Sequence, residues 1–295
     1  MALRINYNFE SVSAQRNLSQ TQGSFFKAIE QLSSGLRINK AGDDAAGLAV
    51  SEKLKNQVRG LNQAQRNAQD SISLLQTAEG ALNETHSILA RMRELAVQSA
   101  NDTLTTSDRL HIQDEVNQLL SEVDRIGNAT QFNTIALFNA AATGGRAGLT
   151  FHVGANFETG NLANELQFTI GAAGGNALAS PVNGTINTNT LGVNGLDVSG
   201  SQAVANTAIA TLDTAIEDIS TFRGAIGAMQ NRLASTINSL GVAAENTGAA
   251  NSRIRDADVA SAVSEMVRSQ ILQQSTMAVL AQANQAPQMA LQLLK

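Results

Sequence analysis

The chain has 295 residues, is 43% hydrophobic but only 3% aromatic, and carries a formal net charge of −5. It has no cysteine, which excludes disulfides, thiolate metal sites and a cysteine nucleophile. The acidic balance and the lack of a basic run argue against nucleic acid as a partner, and the scarcity of aromatics suits long packed helices better than an enzyme core.

The first residues, MALRINYNFESVSAQRNLSQTQ, have neither the apolar region nor the small-residue cleavage site of a secretory signal peptide. The uncharged stretch 269–294 contains many glutamines and asparagines, which a bilayer span would not tolerate. We therefore expect no membrane insertion, and we expect that any export uses a dedicated channel without processing.

The first predicted element is a helix of about 25 residues. Its mostly apolar positions repeat at alternating intervals of four and three residues, at Leu18, Gln22, Phe25, Ile29, Leu32 and Leu36. A polar break follows at 37–47, in which Asp43 or Asp44 is placed to cap the next helix near Ala45.

Residues 48–100 form the longest periodic stretch. One stripe of mostly apolar residues, which we call a seam, repeats at alternating intervals of four and three residues. It runs through Leu54, Val58, Leu61, Gln65, Ala68, Ile72, Leu75, Glu79, Leu82, His86, Leu89, Arg93 and Ala96. A second seam runs beside it through Leu74, Ala78, Ala81, Thr85, Ile88, Met92, Leu95 and Ser99. The helix would be about 80 Å long and would contact at least two partner helices. A helix of this length is more typical of a subunit of an assembly than of an enzyme.

The next predicted helix begins after the turn NDTLTTSD, with Ser107 or Asp108 as its N-cap and Gly127 as its terminator. Its seam passes through Ile112, Val116, Leu119, Val123 and Ile126, and we expect it to pack antiparallel to the long helix.

Between about 140 and 202 the chain becomes rich in glycine, asparagine and threonine. Period-two alternation predicts two half-buried strands, with Leu149, Phe151 and Val153 on one and Leu166, Phe168 and Ile170 on the other. We expect a small hairpin that caps the helices.

Helix returns from Gln202 to Ala250, with a seam through Ala205, Ala208, Leu212, Ala215, Ile219, Phe222, Ile226, Met229, Leu233, Thr236 and Leu240. A second polar break, 249–258, precedes a last helix that begins near Val259 and extends to near Asn284, where Pro287 would stop or bend it.

The predicted fold class is therefore mainly α: a long antiparallel helical rod or coiled-coil bundle with a small β-hairpin region at its tip. An out-and-back path would bring the two terminal helices together. Both are apolar around much of their circumference, so a single copy cannot cover them, and other copies of the chain are the simplest partner. The residues predicted to pack in this assembly core are Leu18, Phe25, Ile29, Leu32, Val263, Met266 and Ile271.

Three runs of sequence resemble bacterial flagellin: LSSGLRINKAGDDAAGLAVSEKL, RNAQDSISLLQTAEGALNETHSILARMRELAVQSAND and ANQAPQMALQLLK. The resemblance implies a terminal helix of domain D0 at 1–42, D1 helices at 43–140, a hairpin or variable region at 141–202, a D1 helix at 203–252 and a D0 helix at 253–295. Only about 60 glycine-rich residues separate the two helical arms, which suggests a minimal flagellin with little or no outer domain.

The resemblance implies a secreted, extracellular structural subunit that polymerises with itself into the flagellar filament for motility. Because no single copy can cover the terminal helices, we also expect the terminal segments, 1 to about 40 and 255 to 295, to be disordered in the free monomer. The implied partners are the flagellar cap, the hook-associated proteins and an export chaperone.

Host receptors are further partners implied by the resemblance. Arg91, Leu95 and Glu115 match positions at which a Toll-like receptor contacts flagellins. The tail residues Leu291, Leu293 and Leu294 match those sensed by a cytosolic inflammasome receptor, although Lys295 stands where many family members have arginine.

The alternatives are a hook-filament junction protein and, more distantly, a coiled-coil binding module unrelated to flagella. An enzyme is the least favoured reading, because the sequence offers no catalytic constellation and no cofactor motif. His86, His111 and His152 lie far apart, so we expect them to be structural or solvated and expect no metal site.

Overall fold

The computed structural model describes residues 8–139, 148–156, 164–169 and 186–293. The helices are α1 (Phe9–Ser34), α2 (Ala45–Ser99), α3 (Thr106–Ala129), α4 (Gln202–Arg255) and α5 (Val259–Leu293). The strands are β1 (Gln131–Phe132), β2 (Ile135–Ala136), β3 (Gly148–His152) and β4 (Glu165–Thr169). The expectation of a mainly helical chain with a small antiparallel hairpin is confirmed.

The chain divides into two compact units. The first, which we call the terminal unit, comprises Met1–Val58 and Glu245–Lys295 and includes α1 and α5. The second, the central unit, comprises Arg59–Ala244 and includes α3, the strands and most of α2 and α4.

In the central unit the predicted seams face one continuous core. Leu75, Leu82 and Leu89 from the first seam of α2 are fully buried, as are Met92 and Ala96. The seam of α4 is buried along most of its length, and α3 contributes Ile112, Val116 and Val123 to the same core. The alternating four and three steps therefore predicted the buried face of each central helix.

Both α3 and α4 run antiparallel to α2. Arg91 of α2 contacts Glu115 of α3, whereas Gly80 of α2 lies beside Ala129 of α3. The residue numbers therefore increase in opposite directions along the two helices. On α4, Asp213 pairs with Arg93 and Leu240 packs near Leu61, which gives the same direction.

The hairpin of β3 and β4 pairs Gly148 with Thr169 and His152 with Glu165. Its predicted strands are confirmed, but the expectation that it caps the helices is wrong. The hairpin lies alongside α2, where Asn67 Nδ2 donates to His152 O at 3.1 Å. Gly60 makes this approach possible, because a Cβ there would lie 3.0 Å from Ala155 O.

A second, shorter hairpin of β1 and β2 was not predicted. Asn133 and Thr134 form its two-residue loop with φ of 48° and 65°. Two consecutive positive φ values define the type I′ turn, for which asparagine is favoured at the first position. The asparagine in the sequence Phe-Asn-Thr-Ile indicates such a turn, but the flanking strands are too short to show the period-two alternation that predicts strands.

The N-cap of α3 differs from both predicted residues. Thr105 is the N-cap, and Asp108 is the third helical residue of a capping box in which each side chain accepts the other's backbone N–H. At α2 the alternative is resolved in favour of Asp44, whose Oδ1 accepts the N–H of Gly47 at 2.8 Å.

Gly127 does not terminate α3, which continues to Ala129. Its role is to admit a neighbouring chain segment, because a Cβ at this position would lie 1.9 Å from Ile186 O. The segment that begins at Ile186 is then held on α3 by Asp124, whose carboxylate accepts the N–H of Thr188 at 2.7 Å and its hydroxyl at 3.0 Å.

The two C-terminal helices are longer than predicted. Helix α4 continues to Arg255 rather than Ala250. Helix α5 continues past Pro287 to Leu293, so proline does not stop it. One missing N–H removes a single hydrogen bond, and the helical hydrogen bonds on either side continue the structure.

We predict that Gly127→Ala lowers the free energy of unfolding by about 1–3 kcal/mol, because the added methyl would collide with the Ile186 carbonyl. Gly224→Ala is the control: a Cβ there meets nothing within 4 Å, and replacing a helical glycine should raise stability by about 0.5–1 kcal/mol. Urea unfolding measures both. Equal effects of the two substitutions would contradict the close approach at Gly127.

Candidate assembly surface

The terminal helices α1 and α5 pack antiparallel. At one end Asn8 Nδ2 donates to Ala283 O at 2.8 Å and Ser11 Oγ donates to Asn284 Oδ1 at 2.9 Å. At the other end the N–H of Ala257 donates to Gly35 O at 2.9 Å. The two helices therefore pair along most of their lengths.

Small side chains make up the tightest part of this pairing. Only five residues in the described parts of the two helices are buried: Ala14, Ala28, Ala262, Ser269 and Ala283. Half-buried residues complete a stripe on each helix that steps by four and three. These are Ser11, Leu18, Thr21, Phe25 and Leu32 on α1, and Met266, Gln273, Thr276 and Leu280 on α5. We call this interface the terminal seam.

Large apolar side chains project away from the terminal seam. Sixteen such side chains are exposed among the described residues, and eleven of them belong to α1 and α5. The eleven, which we call the terminal apolar surface, are Phe9, Val12, Phe26, Ile29, Val259, Val263, Val267, Ile271, Leu272, Met277 and Val279. Because leaving each large apolar side chain in water costs about 1.5–3 kcal/mol, a surface of this size indicates a missing partner.

The predicted assembly-core residues fall into two groups. Leu18, Phe25, Leu32 and Met266 are half-buried in the terminal seam. Ile29, Val263 and Ile271 belong to the terminal apolar surface, and Ile271 is 61% exposed.

Eight residues of the terminal apolar surface were not among the predicted core. Sequence periodicity identifies one stripe on a helix, whereas these residues lie outside the predicted stripe or were not selected from it. The signal that could have found them is the near absence of charge around the whole of each helix. On α5, Glu265 and Arg268 pair with each other at 3.1 Å, so this surface carries almost no net charge.

The connector between α1 and α2 is an ordered ion-pair network. Lys27 Nζ lies 2.9 Å from Asp43 Oδ1, and Asp43 Oδ2 accepts the backbone N–H groups of Asn39 and Lys40. The Lys27 ammonium and these N–H groups lower the pKa of Asp43 to about 2. The Glu30 carboxylate, 2.8 Å from Lys40 Nζ, raises the pKa of Lys40.

Arg37 joins this connector to the end of α4. Its backbone N–H donates to Arg255 O at 2.7 Å, and its Nη2 donates to Ile254 O at 2.6 Å. These bonds satisfy carbonyls that the last turn of a helix leaves without a partner.

The residues predicted to contact a Toll-like receptor are separated by burial. Arg91 is half-exposed and pairs with Glu94 at 3.1 Å and with Glu115 at 3.0 Å. Leu95 is only 2% exposed, because α2 turns it into the core of the central unit. The contact of Leu95 with a receptor stays a prediction.

The predicted tail contacts are less fully described. Leu291 and Leu293 lie at the end of α5, and their side chains are outside the described residues, as is the whole of Leu294. Their contact with a receptor stays a prediction.

No group of three His, Asp or Glu side chains within the described ranges could hold a metal ion. Among these same residues, every helix is too short or too polar to cross a bilayer.

Comparison with known proteins identifies the family. Residues 5–143 match the model of the bacterial flagellin N-terminal helical region, and residues 209–294 match that of the C-terminal helical region. A flagellin of Halalkalibacterium halodurans is 47% identical over 292 residues, with 99% of each chain covered. This chain belongs to the bacterial flagellin family. Flagellins of Treponema pallidum and Bacillus subtilis are 46% and 44% identical, again with at least 99% of each chain covered.

Membership of this family makes the chain a structural protein and not an enzyme. A flagellin polymerises with copies of itself into the flagellar filament, which provides a partner for the exposed terminal helices. The hook-filament junction alternative is not favoured, because the matched relatives are flagellins and filament core proteins.

We predict that Asp43→Asn lowers the melting temperature of assembled filaments, in which α1 is folded and Lys27 faces Asp43, by a few degrees at pH 7. The folded-state pKa of Asp43 is below the unfolded value, so its contribution is complete above pH about 4 and is lost as the pH falls towards 2. Thermal unfolding of both proteins at several pH values should show curves that differ at pH 7 and converge near pH 2. A difference that persists below pH 2 would contradict this origin.

Proposed function

We propose that polymerisation of this flagellin is driven by burial of the terminal apolar surface against the terminal helices of neighbouring copies. The observation that carries the proposal is the sorting of side chains on α1 and α5. The fully buried positions of the seam within one copy are small residues, and eleven large apolar residues project outwards. Contacts between different faces of successive copies do not close on themselves, so they extend into a filament.

Folding of the terminal helices is coupled to this assembly. The terminal seam contains no fully buried large side chain within the described parts of α1 and α5, so it offers little apolar burial against the conformational entropy of two long helices. In the free monomer, α1 and α5 are therefore disordered, and the helices represent their conformation in the filament. The rest of the predicted disordered segments, 1–7 and 294–295, lies outside the described residues.

The domain assignment follows the same reasoning. We assign 1–42 and 253–295 to D0 in the filament core, 43–140 and 203–252 to D1, and 141–202 to the hairpin or variable region. Of these, 1–7, 140–147, 157–163, 170–185 and 294–295 lie outside the described residues. The completeness of the core in the central unit supports D1 as the part that folds alone.

The chain is secreted unfolded through the flagellar export channel and joins the filament outside the cell beneath a cap, next to hook-associated proteins. An export chaperone covers the apolar ends before assembly. Support comes from the terminal apolar surface, which would aggregate if it were left uncovered.

Host receptors bind surfaces of the chain that also take part in assembly. Arg91 and Glu115 are half-exposed and present a charged pair to a Toll-like receptor. The tail leucines Leu291, Leu293 and Leu294 are recognised by a cytosolic inflammasome receptor once the tail is free.

We predict that Ile271→Asn raises the critical concentration for polymerisation at least about tenfold, because the buried apolar contact is worth about 1.5–3 kcal/mol. Val242→Asn is the matched control, since Val242 is also β-branched and is 59% exposed compared with 61% for Ile271, but it lies on α4 in the central unit. Sedimentation of filaments grown from seeds measures both. If Ile271→Asn polymerises as readily as Val242→Asn, the terminal apolar surface is not the driving interface.

For the Toll-like receptor, Arg91→Ala should weaken binding by about tenfold or more while leaving the fold intact, because the side chain is half-exposed. Leu95→Ala should lower the free energy of unfolding by about 2–5 kcal/mol, because it empties a core position. Receptor binding and urea unfolding of both variants separate the two roles. Unchanged receptor affinity of Arg91→Ala would refute the contact.

A further inference from the structure

The central unit has two halves that differ in what lies beside α2. A hydrogen bond from Gln230 Nε2 of α4 to Glu79 Oε2 of α2, 3.0 Å long, marks the level that divides them. Helix α3 ends at Ala129 beside Gly80, so all of α3 lies on one side of this level. The β3–β4 hairpin lies on the other side, beside Asn67.

We call the side with α3 the far half and the side with the hairpin the near half. The described residues of the far half are 79–139 and 186–230. Those of the near half are 59–78, 148–156, 164–169 and 231–244. At 1.5 Å per residue, the part of α2 in each half is roughly 30 Å long.

The far half is strongly acidic. Its described residues include thirteen aspartates and glutamates but only five arginines and no lysine, so it carries eight excess negative charges at pH 7. Four of the five arginines already form ion pairs with carboxylates of the same half. Each helix of the far half still has an exposed carboxylate that forms no ion pair with the described residues: Glu84 on α2, Asp114 on α3 and Glu217 on α4.

The near half has the opposite character. Its described charges are three arginines, one aspartate and one glutamate, so it carries one excess positive charge. The three arginines are Arg59 and Arg66 on α2 and Arg232 on α4. All three are exposed, and none forms an ion pair within the described part of the chain. Among the described residues of the central unit, the exposed cations that lack an acidic partner are therefore all in the near half.

The two halves are too long to neutralise each other within one copy. Salt at 0.1 M limits interactions between exposed charges to about 10 Å, whereas each half is roughly 30 Å long. Two copies packed side by side in register would bring their far halves together, and the like charges would repel. A shift by the length of one half would instead place the arginines of one copy against the carboxylates of the other.

We propose that neighbouring copies in the filament point the same way and are shifted along their helices by roughly 30 Å, so that the near half of one lies against the far half of the next. The partner of both surfaces is a second copy of this chain. One repeated operation relates the copies of an open filament and keeps them pointing in the same direction. The arrangement rests on self-polymerisation, and the segregated charges select the register between copies.

Removal of the near-half arginines tests this arrangement. The triple variant Arg59→Gln, Arg66→Gln, Arg232→Gln, which we call the glutamine variant, leaves the near half with two excess negative charges. Because both halves are then acidic, the critical concentration for seeded polymerisation should rise at least about tenfold. Sedimentation of filaments at increasing protein concentration measures it. Polymerisation of the glutamine variant at the parental critical concentration would overturn the proposal.

A matched control places the same change of net charge in the far half. Its three substitutions are at exposed serines of α2, α3 and α4: Ser87→Glu, Ser121→Glu and Ser220→Glu. Each new glutamate lies three or four residues before an arginine, an arrangement that helices favour. The critical concentration of this control should stay within about threefold of the parent. Equal effects of the control and the glutamine variant would show that net charge alone matters and would overturn the proposal.

Relocation of the arginines separates their charge from any other role of the side chains. The additional substitutions Asn62→Arg, Gln69→Arg and Ser235→Arg in the glutamine variant return three cations to exposed positions of the near half. Polymerisation should return to within about threefold of the parent. The defect of the glutamine variant itself should shrink as salt is raised from about 0.05 M to about 0.5 M. A defect that neither relocation nor salt reduces would overturn the proposal, because its cause would not be the charge of the near half.

The outcomes remain distinguishable from those of the apolar interface. If Ile271→Asn raises the critical concentration while the glutamine variant polymerises like the parent, the terminal apolar surface stands and the charge arrangement falls. If the glutamine variant is impaired while Ile271→Asn polymerises normally, the charge arrangement stands and the terminal apolar surface is not the driving interface.

Discussion

The seam between α1 and α5 is the constraint on which the rest of the account depends. Its buried members are alanines and one serine, so the helices approach closely but bury little apolar area. The eleven large residues of the terminal apolar surface remain on the outside of the pair. If neighbouring copies cover these residues, as we propose, the terminal unit becomes complete only in the filament.

The central unit follows the opposite rule. Its seams bury leucine, isoleucine, methionine and phenylalanine in one continuous core. Side-chain bonds such as Arg93–Asp213 and Asp124–Thr188 join its helices and loops at defined positions. A core of this extent supports the proposal that this unit folds alone, whereas the terminal unit is stabilised by polymerisation.

Much of the central unit could be predicted from the sequence, because the apolar residues of each of its helices lie on one side and the polar residues on the other. Leu75, Leu82 and Leu89 could be assigned to the core on spacing alone. The role of Gly127 could not, since it depends on the distant Ile186 carbonyl, and the Thr105 cap was hidden among several polar residues able to cap. On α1 and α5, apolar residues surround the helix, so periodicity could not separate the face that meets the partner helix from the face that meets other copies. The burial of Leu95 follows from its place on the second seam of α2, whereas the match to receptor-bound positions carries no information about burial.

Hydrogen exchange of the backbone amides of α1 and α5, compared between monomer and filament, tests the central claim most directly. The account predicts rapid exchange of these amides in the monomer, strong protection in the filament, and protection of the amides of the central unit in both states. Equal, strong protection of α1 and α5 in the isolated monomer would show that the terminal seam is sufficient by itself and would contradict the account.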